Sequence, residues 1–139
     1  EGPYFDAAGA KETLKYMKKP AVFVPNSYYH PRQMVSMLST MHLNISMRYH
    51  FTVFSILAGV PCLSLRRGQK VEGLNRELGL ADVGDMNTIA EEVFRSELKA
   101  ALKDPHAYLA PVRAGVSGLQ NRARNNLALF QYSLHADRD

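Results

Sequence analysis

The stretch "LNISMRYHFTVFSILAGVPCLSL", residues 43–65, decides the fold. It contains two short apolar runs, at 43–46 and 61–65, on either side of a segment with helical periodicity. Four residues lie on one face of that predicted helix: Phe51, Phe54, Ser55 and Ala58. Gly59 supplies the helix stop. The stretch therefore predicts a strand, a helix and a second strand parallel to the first, which together form a βαβ unit.

The same alternation of apolar runs and amphipathic segments extends to both sides of this unit. Further strands are predicted at 21–25 and near 81–83. A helix is predicted at 30–41, with Met34, Leu38 and Met41 at helical spacing. A second is predicted at 69–80, with Val71, Leu74 and Leu78 inward and Gly79 as the stop. A third is predicted at 87–102, with Asn87 or Thr88 as N-cap and with four inward residues, Ile89, Val93, Leu98 and Leu102. These elements predict an α/β fold, a Rossmann-like parallel sheet flanked by helices.

The chain is predicted to be a single domain over its 139 residues, a length that suits one globular core. The α/β core is expected at about 20–104, and a helical tail is expected at 105–139. Because the chain begins with Glu1 rather than Met, it is expected to be a fragment of a longer protein or a processed product.

Composition narrows the classes of partner. The net charge of +4 comes from basic residues that are scattered among acidic ones, which favours a solvated surface or small anionic ligands over nucleic acid. Charged residues, Pro or Gly break every apolar run well before the roughly 20 residues of a membrane span, so none is predicted. The one cysteine, Cys62, has apolar neighbours and is predicted to be a buried, unreactive thiol. Its lack of a disulfide partner favours the cytoplasm, with the secretory lumen as an alternative.

Cations follow both strands of the βαβ unit. Arg48 and His50 come directly after 43–46, whereas Arg66, Arg67 and Lys70 come directly after 61–65. In parallel sheets, ligands bind beyond the carboxyl ends of the strands, where the helices begin. Cations at the positive N-terminus of a helix are unfavourable unless an anion lies nearby, and the free N–H groups there bind phosphate or carboxylate. The sequence therefore predicts an anion site at this rim.

Each cation also has a purely structural interpretation. Arg48 could cap a neighbouring helix, His50 could be a structural histidine beside aromatic residues, and Arg66 and Arg67 could be solvated loop residues. Their joint position at one rim favours a site. His50 is the candidate catalytic acid because histidine exchanges protons near neutral pH. No metal site is predicted, because no two histidines have the spacing of metal ligands together with a carboxylate. The sequence also lacks the motifs of nucleotide-binding loops and of serine hydrolases.

Three ordered motifs resemble a known family. "SMRYH", then "AGVPCLSL", then "QKVEGLNRELGL" is similar to the C-terminal half of the polysaccharide pyruvyl transferases, with the clear match over about 31–80. Tyr49 stands where that family usually has an aliphatic residue. Arg66 and Arg67 lie in a loop where it often has an aromatic one.

The resemblance implies one half of a two-domain fold like that of GT-B glycosyltransferases, with the N-terminal half elsewhere in the same polypeptide. It implies transfer of a pyruvyl group from phosphoenolpyruvate to a sugar hydroxyl of a surface polysaccharide, without a cofactor. By position, Arg48 would hold the carboxylate or phosphate of the donor, His50 would be the acid, and Lys70 would contact an anion or the acceptor. An isolated half is expected to be weakly active.

Two alternatives stay open from the sequence. One is a GT-B-type glycosyltransferase or sugar-nucleotide enzyme, in which the same rim would bind a diphosphate. The other is a non-catalytic anion-binding or assembly module. The acceptor sugar and the oligomeric state are not predicted.

Overall fold

A computed structural model describes residues 4–24, 27–85 and 87–136. The chain divides between His30 and Pro31 into two compact units. The first unit contains helix α1 (Tyr4–Tyr16), which no periodic apolar pattern predicted. In this unit the Lys11 Nζ atom lies 5.9 Å from the centroid of the Phe23 ring, a cation–π contact.

The strand predicted at 21–25 is wrong over the described residues 21–24, and Pro25 lies outside them. The segment has no regular secondary structure, and Val22 is 88% exposed. Its apolar, β-branched composition suits a strand, but a strand also needs a partner for its backbone hydrogen bonds and a surface against which to pack. Composition alone does not supply either.

The second unit contains the remaining elements. In chain order these are α2 (Pro31–Leu38), β1 (Asn44–Ser46), α3 (Tyr49–Leu57), β2 (Cys62–Ser64), α4 (Gln69–Leu78), α5 (Glu91–Lys103) and α6 (Pro105–Ala136). The strands pair in parallel, with Ile45 opposite Leu63. The predicted βαβ unit, the helix that ends at Gly79 and the α/β class are therefore confirmed. A wider Rossmann-like sheet stays a prediction, because the described residues form a sheet of two strands.

The βαβ unit is closed by backbone hydrogen bonds at both ends of the strand pair. The Asn44 amide donates to the Pro61 carbonyl at 2.9 Å, and the Leu65 amide donates to the Ser46 carbonyl at 2.8 Å. All of β2 is buried, whereas Ile45 in β1 is exposed. Helix α3 contacts both strands and also α2 and α4.

The core lies between α4 and α6. Leu74 and Leu78 of α4 pack with Leu109 and Val112 of α6, and each of these four side chains is at most 5% exposed. The two helices approach closely at Gly115, where a Cβ atom would lie 2.5 Å from the Glu77 carbonyl oxygen. Helix α5 packs against α6 and β2. This arrangement fixes α4, which follows β2 after the loop 65–68.

The strand predicted near 81–83 and the start of the helix predicted at 87–102 are both wrong. The segment between α4 and α5 makes isolated bridges, Arg66 with Asp85 and Gly84 with Ile89. The Asp85 carboxylate accepts hydrogen bonds from the amides of Asn87 and Thr88, both at 2.8 Å. Those two residues therefore form a turn rather than an N-cap, and α5 begins only at Glu91.

The inward face of α5 also differs from the prediction. Ile89 precedes the helix, and Val93 and Leu102 are 40% and 54% exposed. The inward position of Leu98 is confirmed, since this residue is half-buried, and its neighbours on the inward face are the half-buried Phe94 and the fully buried Ala101. Phe94, Leu98 and Ala101 have the spacing i, i+4 and i+7, which places them on one face of the helix, whereas Val93 and Leu102 lie beside that face.

Helix α6 confirms the predicted helical tail over its described residues. Asp104 caps its first turn, with its carboxylate accepting a hydrogen bond from the Ala107 amide at 2.9 Å. The helix extends for 32 residues. Among the described residues, no helix has both the length and the apolar character needed to cross a membrane.

The predicted burial of Cys62 is confirmed, since 1% of the residue is exposed. Burial raises the pKa of its thiol from 9.0 to about 11, and hydrogen bonds with Ser55 and Thr52 oppose the rise in part. We expect no reaction of the native protein with a thiol-specific disulfide reagent at pH 8, because the reactive thiolate is scarce and enclosed. Full reaction should follow in denaturant. Native labelling at the rate of a free thiol would contradict the burial.

Candidate functional site at the strand ends

The turn from β1 into α3 is fixed by Ser46. The Ser46 hydroxyl accepts a hydrogen bond from the Arg48 amide at 3.0 Å and lies 3.1 Å from the Arg48 carbonyl, to which it donates. Arg48 is the N-cap residue of α3, in extended conformation, and makes no side-chain cap. Its backbone is therefore held by the strand, while its exposed side chain projects at the helix start.

A buried polar chain connects this turn to β2 and α4. The Thr52 hydroxyl contacts the Arg48 carbonyl at 3.2 Å and the Ser64 hydroxyl at 3.3 Å. The Asn75 side-chain amide donates to the Ser64 carbonyl at 3.0 Å. These contacts connect the ends of the two strands with the start of α3 and with the second half of α4, and they are favoured because buried polar groups of this kind are costly to leave unpaired.

One cleft lies between the start of α3 and one face of α4. Its volume is about 480 Å³, within the range typical of small-molecule sites. Seven residues line it: Tyr49, His50, Gln69, Lys70, Gly73, Leu74 and Glu77. The His50 ring makes an edge contact with Tyr49, at 5.4 Å between ring centroids and 83° between planes, and a tilted contact with Phe54 at 6.5 Å. His50 and Lys70, predicted from separate strand ends, therefore lie in the same cleft.

A second cleft of about 390 Å³ lies beside the loop after β2. It is lined by Arg66, Arg67, Gly68, Gln69, Glu72, Asp85 and Asn87. The Arg66 Nε atom lies 2.9 Å from the Asp82 carboxylate, so this cation has an acidic neighbour as well as the open cleft. The lining thus mixes two guanidinium groups with two carboxylates.

The Asp85 carboxylate forms part of the wall of the second cleft. The hydrogen bonds from the Asn87 and Thr88 amides lower the pKa of Asp85, and the charge of Arg66 lowers it further. The pKa of this carboxyl is thus lower in the folded state than in the unfolded state. The ionised carboxylate therefore stabilises the fold at any pH above the unfolded-state pKa, and this contribution is lost as the pH falls through the folded-state pKa. The negative charge of this wall persists at neutral pH.

The structure brings most of the predicted site residues together. Gln69 lines both clefts, so the His50 and Lys70 cleft and the Arg66 and Arg67 cleft adjoin at the first turn of α4. Among the described residues, the linings of these two clefts do not include Arg48, which lies exposed one residue before Tyr49. Its predicted role stays a prediction.

Five lining residues of the first cleft were not predicted from the sequence: Tyr49, Gln69, Gly73, Leu74 and Glu77. Three of them, Gly73, Leu74 and Glu77, have with Lys70 the spacing i, i+3, i+4 and i+7 that places side chains on one face of a helix. This spacing was a usable signal once Lys70 was singled out. Arg122 of α6 orients the Glu77 carboxylate through an ion pair with an Nη2–Oε2 distance of 2.8 Å.

In residues 4–24, 27–85 and 87–136, no group of three or more histidine, cysteine or carboxylate side chains is close enough to hold a metal ion.

Comparison with known proteins gives one match. The family model described as polysaccharide pyruvyl transferase matches residues 4–69, just under half of the chain. This is the family that the sequence resembles, so the resemblance is confirmed, and the match indicates a transferase of polysaccharide biosynthesis. It includes α1 and both strands and ends at the first residue of α4. No curated protein and no solved structure matches the chain significantly.

Proposed function

We propose, on the basis of this family match, that the chain is the C-terminal domain of an enzyme that transfers a pyruvyl group from phosphoenolpyruvate to a polysaccharide. The observation that carries the proposal is the joint placement of His50 and Lys70 in one cleft, with Arg66 and Arg67 in the adjoining cleft. A second, N-terminal half of GT-B type would complete the active site. The reaction places the enzyme in assembly of the cell envelope.

The charges at the rim suit the donor. Phosphoenolpyruvate carries a carboxylate and a phosphate, and the starts of α3 and α4 present N–H groups and cations to the same region. Arg48 is proposed to hold the donor, because a guanidinium binds either anionic group through two parallel hydrogen bonds. Arg66 and Arg67 are proposed to neutralise the remaining charge, and Lys70 is proposed to contact an anion or the acceptor.

His50 is proposed to be the acid. It gives a proton to the methylene carbon C3 of phosphoenolpyruvate, which creates a cationic centre at C2. One acceptor hydroxyl then bonds to C2, the C2–O bond to phosphate breaks, and a second hydroxyl bonds to C2 to form the ketal. Of the two hydroxyl protons, one restores His50 and the other leaves with the phosphate, so the balance closes. The rim cations stabilise the phosphate as it departs.

The proposed donor site can be tested by isothermal titration of phosphoenolpyruvate into the chain. We expect saturable binding that is stronger than that of inorganic phosphate. Arg48→Ala should weaken it at least about tenfold, the loss expected when hydrogen bonds between charged groups are removed. Arg95→Ala on α5, which also removes one exposed cation, is the matched control and should bind like the unmodified chain.

Other outcomes would support the alternatives. Thermal protection by nucleotide sugars but not by phosphoenolpyruvate would indicate a glycosyltransferase or sugar-nucleotide enzyme. Equal binding of phosphoenolpyruvate and phosphate, unaffected by Arg48→Ala, would contradict a donor site at Arg48 and favour a simple anion-binding module.

A further inference from the structure

Helix α4 carries a glycine whose presence packing does not explain. Gly73 lies in the middle of the helix, where glycine is less favourable than alanine. A Cβ atom at Gly73 would meet no described atom within 4 Å, and the residue lacks the positive φ that favours glycine elsewhere in this chain. By contrast, a Cβ at Gly115 would collide with the backbone of α4. The fold as described therefore has room for a side chain at residue 73.

Because Gly73 has no side chain, the floor of the first cleft is open at this position. Gly73 is half-buried and lies on α4 between Lys70 and Glu77, which are exposed, and all three line the cleft. Lys70 and Glu77 are two turns apart, about 10 Å along the helix axis. Without a Cβ between them, a ligand can lie directly against the helix backbone, with Tyr49 and His50 on the opposite side.

The lining indicates the chemical class of that ligand. It offers one amine, one carboxylate, one side-chain amide, an imidazole and an aromatic ring, so its charges nearly cancel. Its one amine, Lys70, is balanced by the Glu77 carboxylate, which Arg122 holds in place, whereas two guanidinium groups line the adjoining cleft. A neutral ring with many hydroxyl groups suits these donors and acceptors, and its apolar face suits an aromatic side chain such as Tyr49.

We propose that the cleft beside α4 is the subsite for the acceptor sugar, with Gly73 as the position on which the pyranose ring rests. The proposal rests on the proposed pyruvyl transfer, and it adds the location of the acceptor and the residues that select it. Lys70 and Glu77 bind hydroxyl groups at the two ends of the ring. His50, at the mouth of the same cleft, lies where donor and acceptor meet.

Gly73→Ala separates this proposal from a structural role. Alanine is the better helix former and has room, so the melting temperature should rise by about 2–4 °C. Binding of a saccharide should nevertheless weaken at least tenfold, because the new methyl group occupies the floor of the cleft. Gly73→Val should weaken it further. Gly118→Ala is the matched control: Gly118 is also helical and open, but it does not line this cleft, so stability should rise while binding stays unchanged.

The measurement is made in two ways on the full chain. Titration with methyl glycosides of glucose, galactose, mannose and N-acetylglucosamine, without phosphoenolpyruvate, reports on the cleft alone. Steady-state kinetics in the intact enzyme should show a higher KM for the acceptor and an unchanged KM for phosphoenolpyruvate. If phosphoenolpyruvate is never consumed, the proposed reaction fails, whereas the glycoside titration still decides the subsite.

Three results would overturn the subsite. The first is a lower melting temperature for Gly73→Ala, which would reveal a packing role. The second is glycoside binding by Gly73→Ala equal to that of Gly118→Ala. The third is a KM change for phosphoenolpyruvate without one for the acceptor, which would assign the cleft to the donor.

Discussion

Replacing His50 with alanine should lower kcat of the intact enzyme by about 10²- to 10⁴-fold, the usual contribution of a general acid. The KM for phosphoenolpyruvate should change little, because the donor is held by cations at the helix starts. His50 is exposed and packs edge-on against Tyr49, so its removal leaves no buried cavity. The loss is therefore expected in the chemical step rather than in folding.

The assay measures phosphate release and ketal formation with saturating donor, and the melting temperature is recorded in parallel. His50→Gln keeps a hydrogen-bonding side chain but cannot deliver a proton, so it should be as impaired as His50→Ala. His42→Ala removes an exposed histidine from the loop before β1 and should leave kcat unchanged. Full turnover by either His50 variant would assign the acid role to another group. A rise in donor KM with unchanged kcat would make His50 a binding residue instead.

The centre of the fold was predictable because its signals are local. The run 43–65 has clear apolar strands, one helical period and a glycine stop, and the structure follows it from β1 to β2. Gly79 ends α4 in the left-handed conformation that glycine adopts readily. The strand at 21–25 and the start of α5 were mispredicted because each depends on a partner that sequence spacing does not reveal. The missing partner is a neighbouring strand in the first case and the Asp85 carboxylate in the second.

The candidate site was predictable in its position but not in its shape. Strand ends in a parallel pair lie at one rim, so the joint placement of His50 and Lys70 follows from the fold class. The lining by Gly73 and Glu77 depends on which part of α4 stays open beside α6 after the two helices have packed together. That choice is made by the contacts of Leu74 and Leu78 with Leu109 and Val112, across a long interval of sequence.

Replacing Gly84 with alanine should cause the largest loss of stability. Gly84 is buried and has φ of 98°, a conformation that is strained for a residue with a side chain. A Cβ there would collide with the Thr88 carbonyl oxygen and would lie 2.8 Å from the Ala90 amide nitrogen and 2.9 Å from the Ile89 Cα atom. All three are backbone atoms, so the segment must move. We expect a loss of about 2–4 kcal/mol in the free energy of unfolding.

Gly79→Ala is the control that separates the two causes. Gly79 also has positive φ, at 66°, but a Cβ there would meet no atom of the described residues within 4 Å. Its replacement should cost only the conformational strain, about 1 kcal/mol. Denaturant unfolding of both variants gives the difference, which reports the close approach at Gly84. Equal losses of unfolding free energy in the two variants would mean that the segment around Ile89 moves away from the new methyl group without a measurable loss of stability.

The Gly84→Ala substitution should also change the geometry of the second cleft. The Gly84 carbonyl accepts a hydrogen bond from the Arg66 amide at 3.0 Å, and the Gly84 amide donates to the Asp82 carboxylate at 3.0 Å. A shift of this backbone therefore displaces Arg66 and the Asp85 wall together. Phosphoenolpyruvate binding should weaken in Gly84→Ala at temperatures where the variant is still folded, and Gly79→Ala should bind normally. Unchanged binding by a folded Gly84→Ala would mean that Arg66 does not contribute to the donor site.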